Sequence, residues 1–147
     1  MYFFVTSHHN YLTSMNFKNF AKSYATEIDG EFRDYDDNQS VIVIKIPNER
    51  FQAVQGNVYK HEGYNDREVI QLKTKVCTVD QSIDFSEVLG SSRDHIHSKF
   101  IIEDGFLKLE SSAFMDSINE ERIKEMIQEI GILADKWEFK ITGKDIY

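Results

Sequence analysis

The sequence predicts an α+β domain in which a mainly antiparallel sheet of about five strands carries an N-terminal and a C-terminal helix on one face. Residues 68–79 alternate apolar and polar side chains, the pattern of a strand with one buried face. Asp104 and Gly105 separate two apolar runs and indicate a two-residue hairpin turn. Residues 119–138 place apolar side chains at helical spacing. With the elements described below, these segments give the order α-β-β-β-α-β-β-α.

The first helix is predicted to begin near Asn16. Its apolar residues recur at steps of three and four: Phe17, Phe20, Ala21, Tyr24, Ile28 and, as a last candidate, Phe32. Asn16 or Ser14 can cap the helix start by accepting a backbone hydrogen bond. The acidic, glycine-containing run over residues 28–39 is expected to end the helix. Because Met15 directly precedes it, residues 1–14 are interpreted as an N-terminal arm before a single domain of residues 15–147, and either Met1 or Met15 as the start.

Three strands are predicted to follow this helix. Residues 40–46 form a β-branched run in which Ile42, Ile44 and Ile46 face one way. Pro47 cannot donate to a strand ladder, so it is expected to end the first strand and open a turn into a second strand over residues 51–59. After a polar loop, the third strand alternates the apolar Ile70, Leu72, Thr74 and Val76 with more polar neighbours. The sheet should therefore be covered on one side.

A short helix and a long helix flank the predicted hairpin. Asp84 and Glu87 form a capping-box-like pair at the start of the short helix, and Gly90 is expected to end it in the left-handed conformation. Ser117 and Glu120 form a second capping box before the long helix. The apolar face of that helix is formed by Ile123, Met126, Ile127, Ile130, Ala134 and Trp137. The tail after Glu138 is interpreted as a short strand or as an arm that contacts a partner.

Composition excludes several classes of function. The chain has 147 residues, 41% of them hydrophobic and 13% aromatic, which is too apolar for a disordered protein. Its net charge of −8 disfavours binding to nucleic acid or to an anionic membrane surface. The single cysteine, Cys77, allows no intramolecular disulfide, and the N-terminus lacks the basic region of a signal peptide. These features predict a cytoplasmic protein.

Candidates for chemistry are few. His95 and His97 flank one residue, so in an extended segment both imidazoles point to the same side, where Zn²⁺ or Ni²⁺ could bind. The favoured interpretation of the pair is a polar loop before a strand. Cys77 lies in a strand pattern, where a small buried hydrophobe is the usual interpretation and a nucleophile would need an adjacent base. We therefore expect no enzyme activity and no cofactor.

Acidic residues form two further groups. The run containing Asp34, Asp36 and Asp37 supplies oxygen ligands that could chelate a hard cation, but the spacing of an EF-hand is absent. On the long helix, Glu121, Glu125 and Glu129 recur every four residues. Such a series is usually a solvated helix face, and the alternative is an acidic docking surface. No metal site is assigned to either group.

Aromatic residues are the strongest candidates for binding. The chain has more large rings than two layers can bury, and rings left outside a core are common anchors of interfaces. The predicted binding residues are Tyr59, Tyr64, Phe114, Trp137 and Phe139. With an exposed sheet edge, they would form a surface for self-association or for peptide binding by groove filling or β-augmentation. The competing interpretation is that most of these rings complete the core.

Four segments resemble a known family. The strand end VCTV, the segment IDFSEVL, the hairpin FIIEDGFLKLES and the helix end ILADKWE are typical of the type III secretion chaperone-like fold, including the bacterial YbjN-like proteins. The resemblance covers residues 17–138. It implies a small, acidic, cytoplasmic and commonly dimeric protein without a catalytic signature. In the secretion branch, it also implies binding of an extended effector segment through apolar grooves.

These observations give one leading function and two alternatives. The leading function is a non-enzymatic, chaperone-like or adaptor module that forms a homodimer and binds a protein or peptide. The first alternative is a YbjN-like regulatory or stress-response protein that binds a small ligand or a signalling partner. The second is a metal-binding protein or enzyme that uses His95 and His97.

Overall fold

A six-stranded antiparallel sheet forms the centre of the molecule. The computed structural model describes residues 15–36 and 38–143. The strands are β1 (Glu31–Asp34), β2 (Gln39–Ile46), β3 (Arg50–His61), β4 (Arg67–Thr78), β5 (Lys99–Glu103) and β6 (Phe106–Phe114). Their order is β1-β2-β3-β4-β6-β5, so β6 lies inside the sheet and β5 at its edge. The predicted α+β class is confirmed, with six strands where about five were expected.

In the part of the chain that the structure describes, three α-helices accompany the sheet: α1 (Phe17–Glu27), α2 (Phe85–Ser91) and α3 (Glu120–Thr142). The side chain of Asn16 caps α1 by accepting from the Asn19 N–H at 3.0 Å. Asp84 caps α2 by accepting from the Glu87 N–H at 3.1 Å. Both caps satisfy donors that a helix start leaves open, as the sequence predicts.

Both α1 and α3 pack on the same side of the sheet, which we call the covered face. The alternating residues of β2 and β4 point into this layer and are buried: Ile42, Ile44, Ile46, Ile70, Leu72, Thr74 and Val76. They pack against the apolar stripe of α3, including Ile123, Met126 and Ile130. The opposite side, the open face, carries the intervening residues and has no helix over it among the described residues. The predicted one-sided burial is thus confirmed.

The strand β1 was not expected from the sequence. Helix α1 ends at Glu27, and Asp29 adopts a left-handed φ of 53°, which turns the chain back towards the sheet. Glu31 then pairs with Val43 of β2. Phe32, expected on the helix, lies instead on β1 and packs against the core.

Three local predictions were wrong. The cap of α3 is Asn119, which accepts from the Arg122 N–H at 2.9 Å, whereas Ser117 lies in a preceding 3-10 turn. Gly90 lies within α2 and does not end it in the left-handed conformation. Residues 139–142 continue α3 and form neither a strand nor an arm, since the helix ends only at Gly143, where φ is 67°.

The predicted arm of residues 1–14 and the last residues, 144–147, lie outside the described residues. The proposed division between an arm and a domain therefore stays a prediction. None of the described helices has the length and the apolar character needed to span a membrane.

Two glycines allow the helices to approach the sheet closely. A Cβ at Gly131 of α3 would overlap Ile44 Cδ1 and lie 3.3 Å from Ile44 Cγ1. A Cβ at Gly56 of β3 would overlap the ring of Phe17 from α1. The absence of a side chain at these positions therefore sets how closely both helices lie on the covered face.

We expect Gly131→Ala to lower the free energy of unfolding by about 1–3 kcal/mol, because the added methyl overpacks the contact with Ile44. This loss should appear although Ala favours a helix by about 1 kcal/mol over Gly. The matched control is Gly90→Ala in α2, where a Cβ meets no atom within 4 Å. That substitution should raise stability by about 0.5–1 kcal/mol. Urea unfolding followed by circular dichroism measures both, and equal stabilisation by the two changes would contradict the close packing.

Candidate functional site

Four aromatic rings meet at one end of the open face. Tyr59, Val69 and Phe114 form one cross-strand row on β3, β4 and β6. The ring centroids lie 6.0 Å apart between Tyr59 and His61, 5.0 Å between His61 and Tyr64, and 5.0 Å between Tyr64 and Phe114. We call Tyr59, His61, Tyr64 and Phe114 the aromatic cluster. Three of the five residues predicted for binding are thus brought together.

The position of Tyr64 in this cluster follows from the loop between β3 and β4. Tyr64 ends a single 3-10 turn, in which His61 Nδ1 accepts from the Gly63 N–H at 3.1 Å. Asn65 and Asp66 then adopt left-handed φ values of 53° and 58°, which these two residue types tolerate better than most. The loop thereby folds the Tyr64 ring over Phe114 while leaving the tyrosine 53% exposed.

Arg67 packs against the Phe114 ring of the aromatic cluster. Its guanidinium carbon lies 3.6 Å from the centre of the Phe114 ring, a cation–π contact. The same guanidinium donates to Asp116 at 2.6 Å and 3.0 Å. This hydrogen bonding, with a smaller contribution from Ser117, lowers the pKa of Asp116. The cluster therefore joins exposed apolar surface to a fixed donor plane, a combination suited to binding a peptide.

The remaining two predicted binding residues lie elsewhere. Trp137 is only 5% exposed, and its ring meets Phe100 edge-on at 5.9 Å, so it belongs to the core and presents no surface in the monomer. Phe139 is 58% exposed on α3, with the guanidinium of Arg50 6.0 Å from its ring. That guanidinium also forms a two-point ion pair with Asp135. Phe139 is therefore accessible but separate from the aromatic cluster.

Sequence reasoning missed His61 and Arg67, which it placed in a polar loop. Both in fact belong to strands, at the end of β3 and the start of β4. A signal was present, because His61 follows Tyr59 by two residues and Arg67 precedes Val69 by two. Residues two apart on a strand share a face.

Structural comparison finds the same fold in solved structures at low sequence identity. The chain is similar to a chain of the crystal structure of the ExsC–ExsE complex, with 13% identity over 87% of this chain and 95% of that chain, and a TM-score of 0.59. It is also similar to a chain of the HopA1–SchA chaperone–effector complex, with 9% identity over 90% of this chain and 97% of that chain, and a TM-score of 0.55. No family model matches the sequence, and no curated protein matches it either.

The chain has the type III secretion chaperone-like fold. This confirms the resemblance drawn from the sequence at the level of the fold. The YbjN-like part of that resemblance stays a prediction.

Within this fold, the histidines considered as metal ligands contact different neighbours. The His95 ring lies 5.4 Å from the Phe100 ring, and His97 Nε2 lies 3.2 Å from Glu125 Oε2. Across residues 15–36 and 38–143, no three His, Cys, Asp or Glu side chains are placed to hold a metal ion. Cys77 is buried, and burial, with the nearby carboxylates of Asp80 and Glu138, raises the pKa of its thiol. This thiol therefore lacks the conditions of a nucleophile.

The acidic run after α1 also has structural contacts. Asp34 forms an ion pair with Lys18 at 2.7 Å. Asp36 accepts from the backbone N–H groups of Asn38 and Gln39, each at 2.8 Å. These bonds shape the turn into β2, while Asp37 lies outside the described residues.

Glu129 of α3 binds the loop that leads into β5. Its carboxylate accepts from the backbone N–H groups of Ile96, His97 and Ser98 at 3.3, 2.9 and 3.1 Å, and from the Ser98 hydroxyl at 2.6 Å. Burial of Glu129 raises its pKa, but these hydrogen bonds outweigh burial, so the net pKa lies below its ordinary value. Of the glutamates that recur every four residues on α3, Glu129 therefore has a structural role.

We expect Glu129→Ala to lower the free energy of unfolding by about 1–3 kcal/mol at neutral pH, because several hydrogen bonds to a charged acceptor are lost. Glu125→Ala is the matched control, since the Glu125 side chain is 67% exposed and should contribute less than about 1 kcal/mol.

The effect of Glu129 should depend on pH in a defined direction. Its pKa is lower in the folded state, so its stabilisation is complete above the unfolded pKa of about 4.3 and is lost as the pH falls through the folded value. The difference in the free energy of unfolding between wild type and Glu129→Ala should therefore become smaller as the pH is lowered. Urea unfolding at neutral and acidic pH measures this difference. A difference that becomes larger in acid would contradict the stabilising role of the charged Glu129 carboxylate.

Proposed function

We propose that this protein is a non-enzymatic, chaperone-like module that binds an extended segment of a partner polypeptide. The observation that carries the proposal is the aromatic cluster, which places an exposed tyrosine ring beside a phenylalanine ring and an arginine fork. Exposed rings held by neighbours in this way lose little conformational entropy on binding. The single buried cysteine fits the reducing cytoplasm.

The fold supports this proposal. Both similar structures are complexes, and one is a complex of a chaperone with an effector. The likeness covers nearly the whole of each compared chain, so it extends over the complete fold of those chains. We infer from this a protein partner, and we assign its contact on this chain to the aromatic cluster.

The proposal can be tested with peptides selected from a random display library against the wild-type protein. We expect Tyr64→Ala to weaken binding of the selected peptides about tenfold, the effect of losing a central aromatic anchor. The matched control is Ile132→Ala, which removes another exposed apolar side chain, 47% accessible on α3. Peptides that bind both variants and the wild type with equal affinity would contradict the cluster as the binding site, as would a failure to select any peptide.

We also propose that the protein forms a homodimer through the edge that β5 presents. Strand β5 pairs with β6 and ends the sheet, so its outer backbone groups face away from every other described strand. Three large apolar side chains of residues 85–103 are exposed: Leu89 at 60%, Ile96 at 81% and Ile102 at 60%. Ile102 lies on β5 itself and Ile96 three residues before it, and exposed apolar side chains at an edge strand fit pairing with the same edge of a second copy.

The double substitution Ile96→Ser and Ile102→Ser should raise the dimer dissociation constant at least about tenfold, because each change removes apolar contact area from the interface. Ile132→Ser on α3 is the control and should leave the constant unchanged. Size-exclusion chromatography with light scattering over a dilution series measures the constant. A wild-type protein that stays monomeric at high micromolar concentration would refute the dimer.

A further inference from the structure

Ile96 is the most exposed large apolar side chain that the structure describes, with 81% of its surface accessible. It belongs to the loop of residues 95–98, which joins the 3-10 turn Ser92–Asp94 to β5. Single apolar side chains at a surface are common, and loops are usually the more mobile parts of a fold. The 95–98 loop differs, because the rest of the molecule holds its backbone firmly.

Four consecutive backbone N–H groups of the 95–98 loop each have an acceptor. The first donates to the Ser92 carbonyl at 3.1 Å. The next three all donate to the carboxylate of Glu129 on α3, at 3.3, 2.9 and 3.1 Å. The Ser98 hydroxyl donates to the same carboxylate at 2.6 Å. A short loop with all of these donors engaged has few alternative backbone conformations.

The residues on either side of Ile96 also contact the body of the protein. The side chain of His97 is only 13% exposed, and its carbonyl accepts from the Ser111 hydroxyl of β6 at 2.8 Å. The His95 ring lies against the Phe100 ring, with 5.4 Å between the ring centroids. Within the loop, Ile96 is the one residue that is exposed.

The order already present in the loop determines what Ile96 can contribute to binding. A side chain on a loosely held loop loses backbone freedom when it binds, and this loss opposes association. Ile96 avoids most of that loss, because its own N–H and those of the two following residues are bonded before any partner arrives. An apolar side chain that is accessible and held in place is suited to anchor an interface.

The position of the loop indicates which partner Ile96 meets. Ile96 lies three residues before β5, the edge strand through which we propose that the protein pairs with a second copy. Two copies related by a two-fold axis pair the same strand antiparallel, so the start of one β5 lies beside the end of the other. Ile96 of each copy is then directed to the end of the other copy's β5, where Ile102 is 60% exposed.

We propose that Ile96 is a pre-ordered anchor of the homodimer and that Glu129 is the residue that positions it. This inference rests on the proposed dimer and adds the residue that prepares its interface. The carboxylate of Glu129 is engaged by the loop through four hydrogen bonds, so its contribution to dimer formation is indirect and depends on Ile96.

A double-mutant cycle on the dimer dissociation constant tests this dependence. We expect Ile96→Ser to raise the constant about tenfold and Glu129→Ala about fivefold. When Ile96 is already Ser, Glu129→Ala should change the constant by less than about twofold, because no anchor is left to position. Glu129→Gln keeps one carbonyl oxygen and should have an intermediate effect. Size-exclusion chromatography with light scattering over a dilution series measures the constants, and circular dichroism checks that each variant is folded.

Two controls separate positioning from a general loss of stability. Glu121→Ala removes the same charge from α3 at a side chain that is 80% exposed, and it should leave the constant within about twofold of wild type. When Ile132, outside the proposed interface, is Ser, Glu129→Ala should keep its full effect. An equal effect of Glu129→Ala in the wild-type and Ile96→Ser proteins would overturn the positioning role.

Amide hydrogen exchange gives a second readout, at a dilution where the protein is monomeric. The N–H groups of Ile96, His97 and Ser98 should be protected in the wild type, and Glu129→Ala should remove this protection while the amides of β4 stay protected. Unprotected loop amides in the wild-type monomer would overturn the pre-ordering. A wild-type dimer that Glu129→Ala leaves unchanged refutes this inference alone, whereas a wild type that never dimerises refutes the proposed dimer as well.

Discussion

The burial of one sheet face beneath α1 and α3 determines how the rest of the molecule is arranged. Residues alternate between faces along the strands, apart from an irregularity between Lys75 and Cys77 of β4, so the positions that fill the core fix which side chains remain outside. Two polar residues of the covered face, Gln52 and Thr74, form hydrogen bonds within it. The Gln52 amide donates to the Thr74 hydroxyl at 2.7 Å, and that hydroxyl donates to the Ala53 carbonyl at 2.7 Å. These bonds reduce the cost of placing polar groups in the core.

The open face has no second layer of described helices, so ion pairs and ring contacts order it instead. Glu103 joins the lysines of two strands, and Arg67 joins Phe114 to Asp116. Hydrogen bonds to Lys108 and Lys73 lower the pKa of Glu103, consistent with a carboxylate held in its charged form. Side chains fixed by such contacts are already ordered before a partner arrives. The same contacts that order this face therefore reduce the entropy that binding would cost.

Local patterns in the sequence were sufficient for most elements and insufficient for the site. The alternation around Ile70 and Leu72 predicted β4 and its buried face, and Asp104-Gly105 predicted the hairpin, with φ values of 55° and 78°. The four-residue strand β1 was missed because it is too short and too polar for a periodic signal. The meeting of Tyr59 with Phe114 depends on β6 pairing with β4, a long-range choice that no local pattern contains. Trp137 could not be assigned to the core or the surface for a similar reason, since its contact with Phe100 joins distant elements.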